Sequence, residues 1–288
     1  MDGLAPSLVV DPGEGVIRGR RFYKMTGSGN DFVVFDSRDG AVDELEQPAT
    51  IRRLCDRRQG IGADGVVIIE PSRRADVLMK YFNSDGSRGE MCGNAALCVT
   101  RLSARLGLAK NPDAMAIETD DGIVRSRLVN DSPEIELQPV RRVKETAEGG
   151  AASGERRLGY AVAGVPHVVV LCEDVERVDV AHRGAALRSA AWTQPDGANV
   201  NFVAPAEAGG WAIRTFERGV EGETLACGTG AVATATLLRA WGLGGSQTAL
   251  RTRSGCVLEV TLRDESGAIL PRLRGEGRVV FEGQLGEV

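Results

Sequence analysis

Histidine is almost missing from this 288-residue chain: His167 and His182 are the only two. A zinc site would therefore need mostly cysteine or carboxylate ligands, and none cluster at a suitable spacing. Lysine is nearly as scarce, with Lys24, Lys80, Lys110 and Lys144 making up the whole set. None of the four lies in a Gly/Ser-rich phosphate cradle, which argues against a pyridoxal-phosphate Schiff base. No apolar run approaches the roughly 20 residues that span a bilayer. Met1 to Val10 has no positive segment ahead of its short apolar stretch, so no signal peptide is read. The net charge is −5 with both signs scattered, and no basic stripe marks a nucleic-acid surface. The six cysteines include no C-x-x-C pair and are too sparse for a disulfide scaffold. A reducing, cytoplasmic setting follows.

What is present, within an ordinary 42% apolar composition, is a duplication. Met91-Cys92-Gly93-Asn94-Ala95-Ala96 reads against Ala226-Cys227-Gly228-Thr229-Gly230-Ala231 at an offset of 135 residues, and Leu106-Gly107-Leu108 against Trp241-Gly242-Leu243 at the same offset. Between these points, Ala95, Val99, Leu102 and Leu106 form one helical stripe, and Ala231, Thr234, Leu238 and Trp241 form another. Gly107 and Gly242 are the expected helix terminators.

Upstream, each helix follows a strand ending in phenylalanine, Val77 to Phe82 and Trp211 to Phe216. Downstream, Thr119-Asp120-Asp121-Gly122 and Thr252-Arg253-Ser254-Gly255 open hairpins. The turn Gly27-Ser28-Gly29-Asn30 reads against Gly164-Val165-Pro166-His167 at an offset of 137.

The predicted fold class is α/β (α+β): two pseudo-symmetric halves, each a strand-rich sheet around a central helix, with the site in the cleft between them. Residues 1–18 form an N-terminal extension. Residues 19–138 form the first half, completed by a returning C-terminal strand over 277–288, and 139–276 form the second. Glu145 to Glu155, rich in Glu, Ala, Gly and Ser, reads as a linker or exposed loop.

Each half thus delivers one cysteine to the start of a helix. Unpaired N–H groups and the positive end of the helix dipole favour anions there. That lowers a thiol pKa and lets Gly93-Asn94 and Gly228-Thr229 hold a carboxylate. Two such starts facing across a cleft would put one sulfur on each side of a planar carbanion, as inversion of a stereocentre requires. Cys55, Cys98, Cys172 and Cys256 have no such counterparts and are assigned to the core.

These motifs resemble the diaminopimelate epimerase family of cofactor-independent amino-acid racemases and epimerases. The stretches are Lys24-Met25-Thr26-Gly27-Ser28-Gly29-Asn30-Asp31-Phe32, Gly60-Ile61-Gly62-Ala63-Asp64-Gly65, Phe82-Asn83-Ser84-Asp85-Gly86, Glu90-Met91-Cys92-Gly93-Asn94, Gly164-Val165-Pro166-His167, Asn199-Val200, and Glu217-Arg218-Gly219 with Glu223-Thr224-Leu225-Ala226-Cys227-Gly228-Thr229-Gly230.

The resemblance implies Cys92 and Cys227 as the acid/base pair. It implies Asn30, Asn83, Gly93, Asn94, Asn199, Glu217, Arg218, Gly228 and Thr229 as substrate contacts. Arg218 suits a distal carboxylate and Glu217 an ammonium. His167, with Glu217, is expected to tune the thiols. No cofactor and no metal are implied, and the partners are an amino-acid substrate and a second copy in a homodimer, with no nucleic acid and no membrane.

The chain departs from the family in places. Val165 and Gly65 stand where the family often has Asn and Gln, and Ala95 and Leu97 where it commonly has Gly and Arg. Either another group, with Asn201 the candidate, replaces the missing amide at position 165, or the substrate differs. Asp31 and Asp64 read as turn residues and His182 as surface. A histidine racemase of the same chemistry is the nearest alternative, and Arg218 speaks against it. A proline-type racemase, a thiol redox protein, a cysteine hydrolase and a non-catalytic binding protein explain the duplicated cysteines less well.

Overall fold

The computed structural model describes residues 17–286 apart from 39, 41, 42, 148, 149, 207 and 208. Of the expected extension over 1–18, residues 1–16 lie outside the described residues. The first series of elements is β1 (Arg21–Gly27), β2 (Asn30–Asp36), α1 (Pro48–Cys55), β3 (Gly65–Glu70), β4 (Val77–Asn83), β5 (Arg88–Gly89), α2 (Gly93–Arg105), β6 (Met115–Thr119), β7 (Gly122–Val129) and β8 (Ser132–Glu136). After β9 (Arg141–Lys144) the order repeats. It runs β10 (Glu155–Ala163), β11 (Val165–Cys172), α3 (Val180–Arg188), β12 (Asn199–Pro205), β13 (Trp211–Glu217), β14 (Gly222–Thr224), α4 (Gly228–Ala240), β15 (Gln247–Arg251), β16 (Val257–Glu265) and β17 (Ala268–Arg274). The last strand is β18 (Arg278–Gln284).

Strand pairing repeats with the order. β2–β3 and β4–β6 are parallel, as are β11–β12 and β13–β15, their counterparts. β9 lies antiparallel to β10, and β18 antiparallel to β1. The final strand therefore takes, beside the first series, the place that β9 takes beside the second. β8 and β17 pair antiparallel, with Ile135 opposite Leu273, and join the two series into one sheet.

Runs such as Gly65-Val66-Val67-Ile68-Ile69 and Val168-Val169-Val170-Leu171 are apolar throughout because both sheet faces are covered. Alternation then sorts their side chains. Val34, Val67, Met79, Val169, Val203 and Ile213 share one core with α2 and α4. Val33, Phe35, Val66 and Ile68 pack with α1 residues, and Val168, Val170, Val200 and Phe202 with α3 residues. Helix α2 buries Ala95 through Thr100, and α4 buries Gly230 through Leu238, small residues for the most part, which lets the sheet close around each helix. Both helices stop where expected, at the left-handed Gly107 (φ 64°) and Gly242 (φ 72°).

One alignment of the repeat changes. Gly27 faces Asn30 across the first turn, and Ala163 faces Val165 across the second, which is one residue shorter. Asn30 therefore corresponds to Val165 and Phe32 to His167, so the 135-residue offset of the cysteines holds into β11, in place of 137. The stretch read as a loop from 145 ends earlier, because Glu155 already belongs to β10, where its carboxylate pairs with Arg183 at 2.8 Å.

Candidate active site

Cys92 and Cys227 are the N-cap residues of α2 and α4, with matching extended backbones (φ −130° and −134°). Cys227 is buried, and its sulfur accepts from the Gly230 N–H at 3.4 Å with the Thr229 hydroxyl 3.5 Å away. Cys92 is half-buried. The two helix starts converge. A Cβ built on Gly228 would lie 3.8 Å from Asn94 Oδ1, and both Gly93 and Gly228 abut the Leu273 side chain. Asn94 Oδ1 is buried without a hydrogen-bond partner among the described residues.

The thiol acidity expected from the helix starts is reversed. Burial pushes Cys92 up to about 11, against the downward pull of the Ala95 and Asn94 N–H groups. Burial pushes Cys227 up to about 12, and the Glu217 carboxylate adds to the rise. Desolvation of a thiolate outweighs the few amides that would stabilise it. Glu217 is itself raised by burial, although the Thr224 hydroxyl pulls the other way.

A cleft of about 760 Å³ opens beside Cys92, lined by Asn30, Tyr81, Asn83, Glu217 and Arg218 among others. Cys227, Asn199, Thr229 and His167 are not among its lining residues. Asn199 accepts from the Arg218 backbone N–H at 2.7 Å, and the Arg218 guanidinium donates to the Asp196 carbonyl at 2.9 Å. Asn30 accepts from the Asn94 amide at 2.6 Å and donates to Asp64 at 3.1 Å.

Asp31 lies in β2 rather than in a turn, Asp64 lies in the bend before β3, and both are ion-paired. Asp31 pairs with Lys24 (2.5 Å) and Arg57 (2.7 Å), and Asp64 with Arg57 (2.7 Å). Burial acts to raise the Asp31 carboxyl, but these cations overcome it and hold it at about 2. Lys24 also donates to the Gly62 carbonyl. A charged scaffold thus backs the Asn30–Asn94 contact at the start of α2.

Sequence reasoning missed Tyr81. Its ring fills the space at position 65, where an added Cβ would lie 2.7 Å from the ring and 2.6 Å from the Phe82 carbonyl. Gly89 clears the other side of the ring, since a Cβ there would also lie 2.7 Å away. The Tyr81 hydroxyl donates to Asn83 Oδ1 at 3.0 Å, and Asn83 Nδ2 donates to Ser87 at 3.0 Å. The glycines at 65 and 89 were the available signal, legible only once strand register is known.

Asn201 does not supply the amide that Val165 lacks. It is fully buried, its Nδ2 donates to the Val168 carbonyl and contacts His167 Nδ1 (both 3.1 Å), and its Oδ1 accepts from Thr215 at 3.0 Å. Both of its N–H groups are engaged in the core, and it is not among the residues that line the cleft. His167 is fully buried, and burial, with the Arg218 charge, pushes it down to about 3, so the ring is neutral. His182 is exposed on α3. Cys55, Cys98 and Cys172 are core residues, whereas Cys256 is only half-buried, with its thiol 3.5 Å from Glu276. Among the described residues no three His, Cys, Asp or Glu side chains cluster as metal ligands, and no helix is long and apolar enough to cross a membrane.

The fold is that of a class of α+β proteins built from two pseudo-symmetric halves. A PhzF-family phenazine biosynthesis protein from Bacillus anthracis superposes with a TM-score of 0.71 at 15% identity, covering 93% of this chain and 99% of that one. A hydroxyproline epimerase from Agrobacterium vitis gives a TM-score of 0.66 at 19% identity, covering 93% and 92%. Sequence narrows the class. The family model for diaminopimelate epimerase matches residues 22–143 and 159–277. Diaminopimelate epimerase of Gemmatimonas aurantiaca is 51% identical over 274 residues, covering 92% of this chain and 98% of that protein, and the Aquifex aeolicus enzyme is 37% identical over 276, covering 92% and 98%. The chain belongs to the diaminopimelate epimerase family.

Proposed function

We propose that this chain interconverts LL- and meso-diaminopimelate without a cofactor, with Cys92 and Cys227 as the two acid/base groups. The observation that carries the reading is the convergence of two equivalent helix starts, each capped by a cysteine, at Asn94 and Gly228. One sulfur, as thiolate, takes the Cα proton from one face, and the other, as thiol, returns a proton to the opposite face. The electron pair spreads into the substrate carboxylate, which the amides at the two helix starts suit by charge and geometry.

The raised thiol pKa values fit an enzyme that makes its base only when loaded. Glu217 helps hold both cysteines protonated. A substrate ammonium paired with Glu217 cancels that repulsion and adds a positive charge near the sulfurs. Arg218 and Asn83, on the cleft wall, suit the distal carboxylate. A homodimer in the cytoplasm completes the reading, supported by the family and by Val280 and Phe281, about half exposed on β18.

The test is incubation with each diaminopimelate isomer in D₂O with reductant and no added cofactor. Epimerisation with deuterium uptake at one Cα is expected, and its loss in Cys92→Ala and in Cys227→Ala. Unchanged turnover in both variants would refute the mechanism.

A further inference from the structure

His167 and Asn201 sit side by side on the sheet face that carries α4. His167 is opposite Asn199 in the β11–β12 ladder, and Asn201 is two residues further along, so all three side chains share a face with Val169 and Val203 of the main core. Gly230 in the first turn of α4 makes room, since a Cβ there would collide with Asn201 Oδ1 and lie 3.3 Å from the Cys227 Cβ.

The hydrogen bonds fix where the imidazole proton is. The Val168 carbonyl can only accept, so the Asn201 atom bonded to it is the amide nitrogen. That nitrogen spends its other N–H on His167 Nδ1, which must then be a lone pair. The proton is on Nε2. His167 Nε2 is buried and has no partner among the described residues, which is costly for a hydrogen-bond donor. The charge that acts on His167 is that of Arg218, just past the end of β13; Glu217 ends that strand and Cys227 caps α4.

We propose that Asn201 is a positioning residue: it locks His167 as the Nε2–H tautomer and so sets a buried hydrogen-bond donor, not a base, beside the Cys227 helix start for an anionic group of the bound amino acid. The last clause rests on the function proposed above; the tautomer does not.

Histidine-selective ¹⁵N labelling tests it directly, because the chain has only two histidines and His182 is exposed. Two-bond ¹H–¹⁵N spectra should show His167 neutral with Nε2 protonated and not titrating between about pH 5 and 8, while His182 titrates. Asn201→Asp offers Nδ1 an acceptor and is expected to move the proton to Nδ1. It should lower kcat about tenfold or more and add a histidine ionisation to its pH profile. His167→Gln, which keeps an N–H donor, should retain more kcat than His167→Leu. A wild-type spectrum with Nδ1 protonated, or a His167 that titrates near neutrality, overturns the proposal whether or not the Asn201 variant folds. So does an Asn201→Asp enzyme with an unchanged tautomer. Inactivity toward diaminopimelate alongside the expected spectrum would count against the proposed substrate, not against the lock.

Discussion

Asn94 Oδ1 faces Gly228 across the interface, 3.8 Å from where a Cβ on that glycine would lie. The first residue of one central helix therefore meets the first turn of the other. Gly228→Ala tests what that closeness is for. Alanine is the better helix former by about 1 kcal/mol, and the one tight contact, at 2.7 Å, is with the end of the Leu273 side chain, which can move. Thermal stability should stay within about 1 kcal/mol of wild type. The methyl group enters the space between the two helix starts, so kcat/KM should fall by about tenfold or more. Melting curves and steady-state kinetics on the same preparation check this; unaltered kinetics would mean the gap is not the carboxylate cradle.

The thiols give a pH signature in two parts. With Cys92 at about 11 and Cys227 at about 12, both are protonated near neutrality in the free enzyme. Alkylation by iodoacetamide should be slow at neutral pH and rise about tenfold per pH unit. For stability, the folded pKa values lie above the unfolded value of about 8.5. The folded chain holds these protons more tightly. Their contribution is complete below about pH 8.5 and is lost as pH rises toward 11 and 12; Cys55 (about 11) and Cys172 (about 12) act in the same sense. Asp31, held at about 2, works oppositely: its contribution is present above about 3.9 and is lost as pH falls through the folded value. Urea melts across pH should show both edges.

Much of this was readable from residues alone because the repeat does the work. A Cys-Gly pair after a strand and before a small-residue stripe, found twice at one offset, locates α2, α4 and the candidate pair. The rest depends on register and burial, which a linear pattern does not carry. Asn201 looks like a spare amide in sequence, and only its place beside Val168 and Thr215 shows that it is engaged inside the core. Asp31 and Asp64 look like turn residues beside glycines, yet Arg57, on the segment after α1, makes them an ionic scaffold. The helix-start argument for acidic thiols is sound for an exposed sulfur and fails where desolvation is the larger effect.

Oxidation gives a separate test of convergence. If the two sulfurs share one substrate carbon when loaded, they can approach each other when the site is empty. A mild oxidant should inactivate the enzyme, with a single Cys92–Cys227 disulfide detected by peptide mapping, and a thiol reductant should restore activity. The reaction should accelerate with pH as the thiolate fraction rises. Full activity after that disulfide is verified would contradict the assigned roles.

Tyr81 and Gly65 are packed against each other. The Phe82 carbonyl lies 2.6 Å from any Cβ at position 65, so that position is closed by backbone as well as by the tyrosine ring. Gly65→Gln should therefore destabilise the fold by about 1–3 kcal/mol, and the strain should not be fully relieved by adding Tyr81→Ala. Tyr81→Phe is the gentler probe. It keeps the ring between the two glycines and removes one hydroxyl, leaving Asn83 Oδ1 without its donor. The amide of Asn83 is then free to rotate away from the orientation that lets Nδ2 face Ser87 and the cleft. If Asn83 holds the distal end of the substrate, the loss falls on binding. KM for diaminopimelate should rise about threefold to tenfold, the equivalent of one hydrogen bond, with kcat little changed. A fall in kcat at constant KM would instead place Tyr81 at the reacting carbon, beside Cys92, with which it lines the cleft.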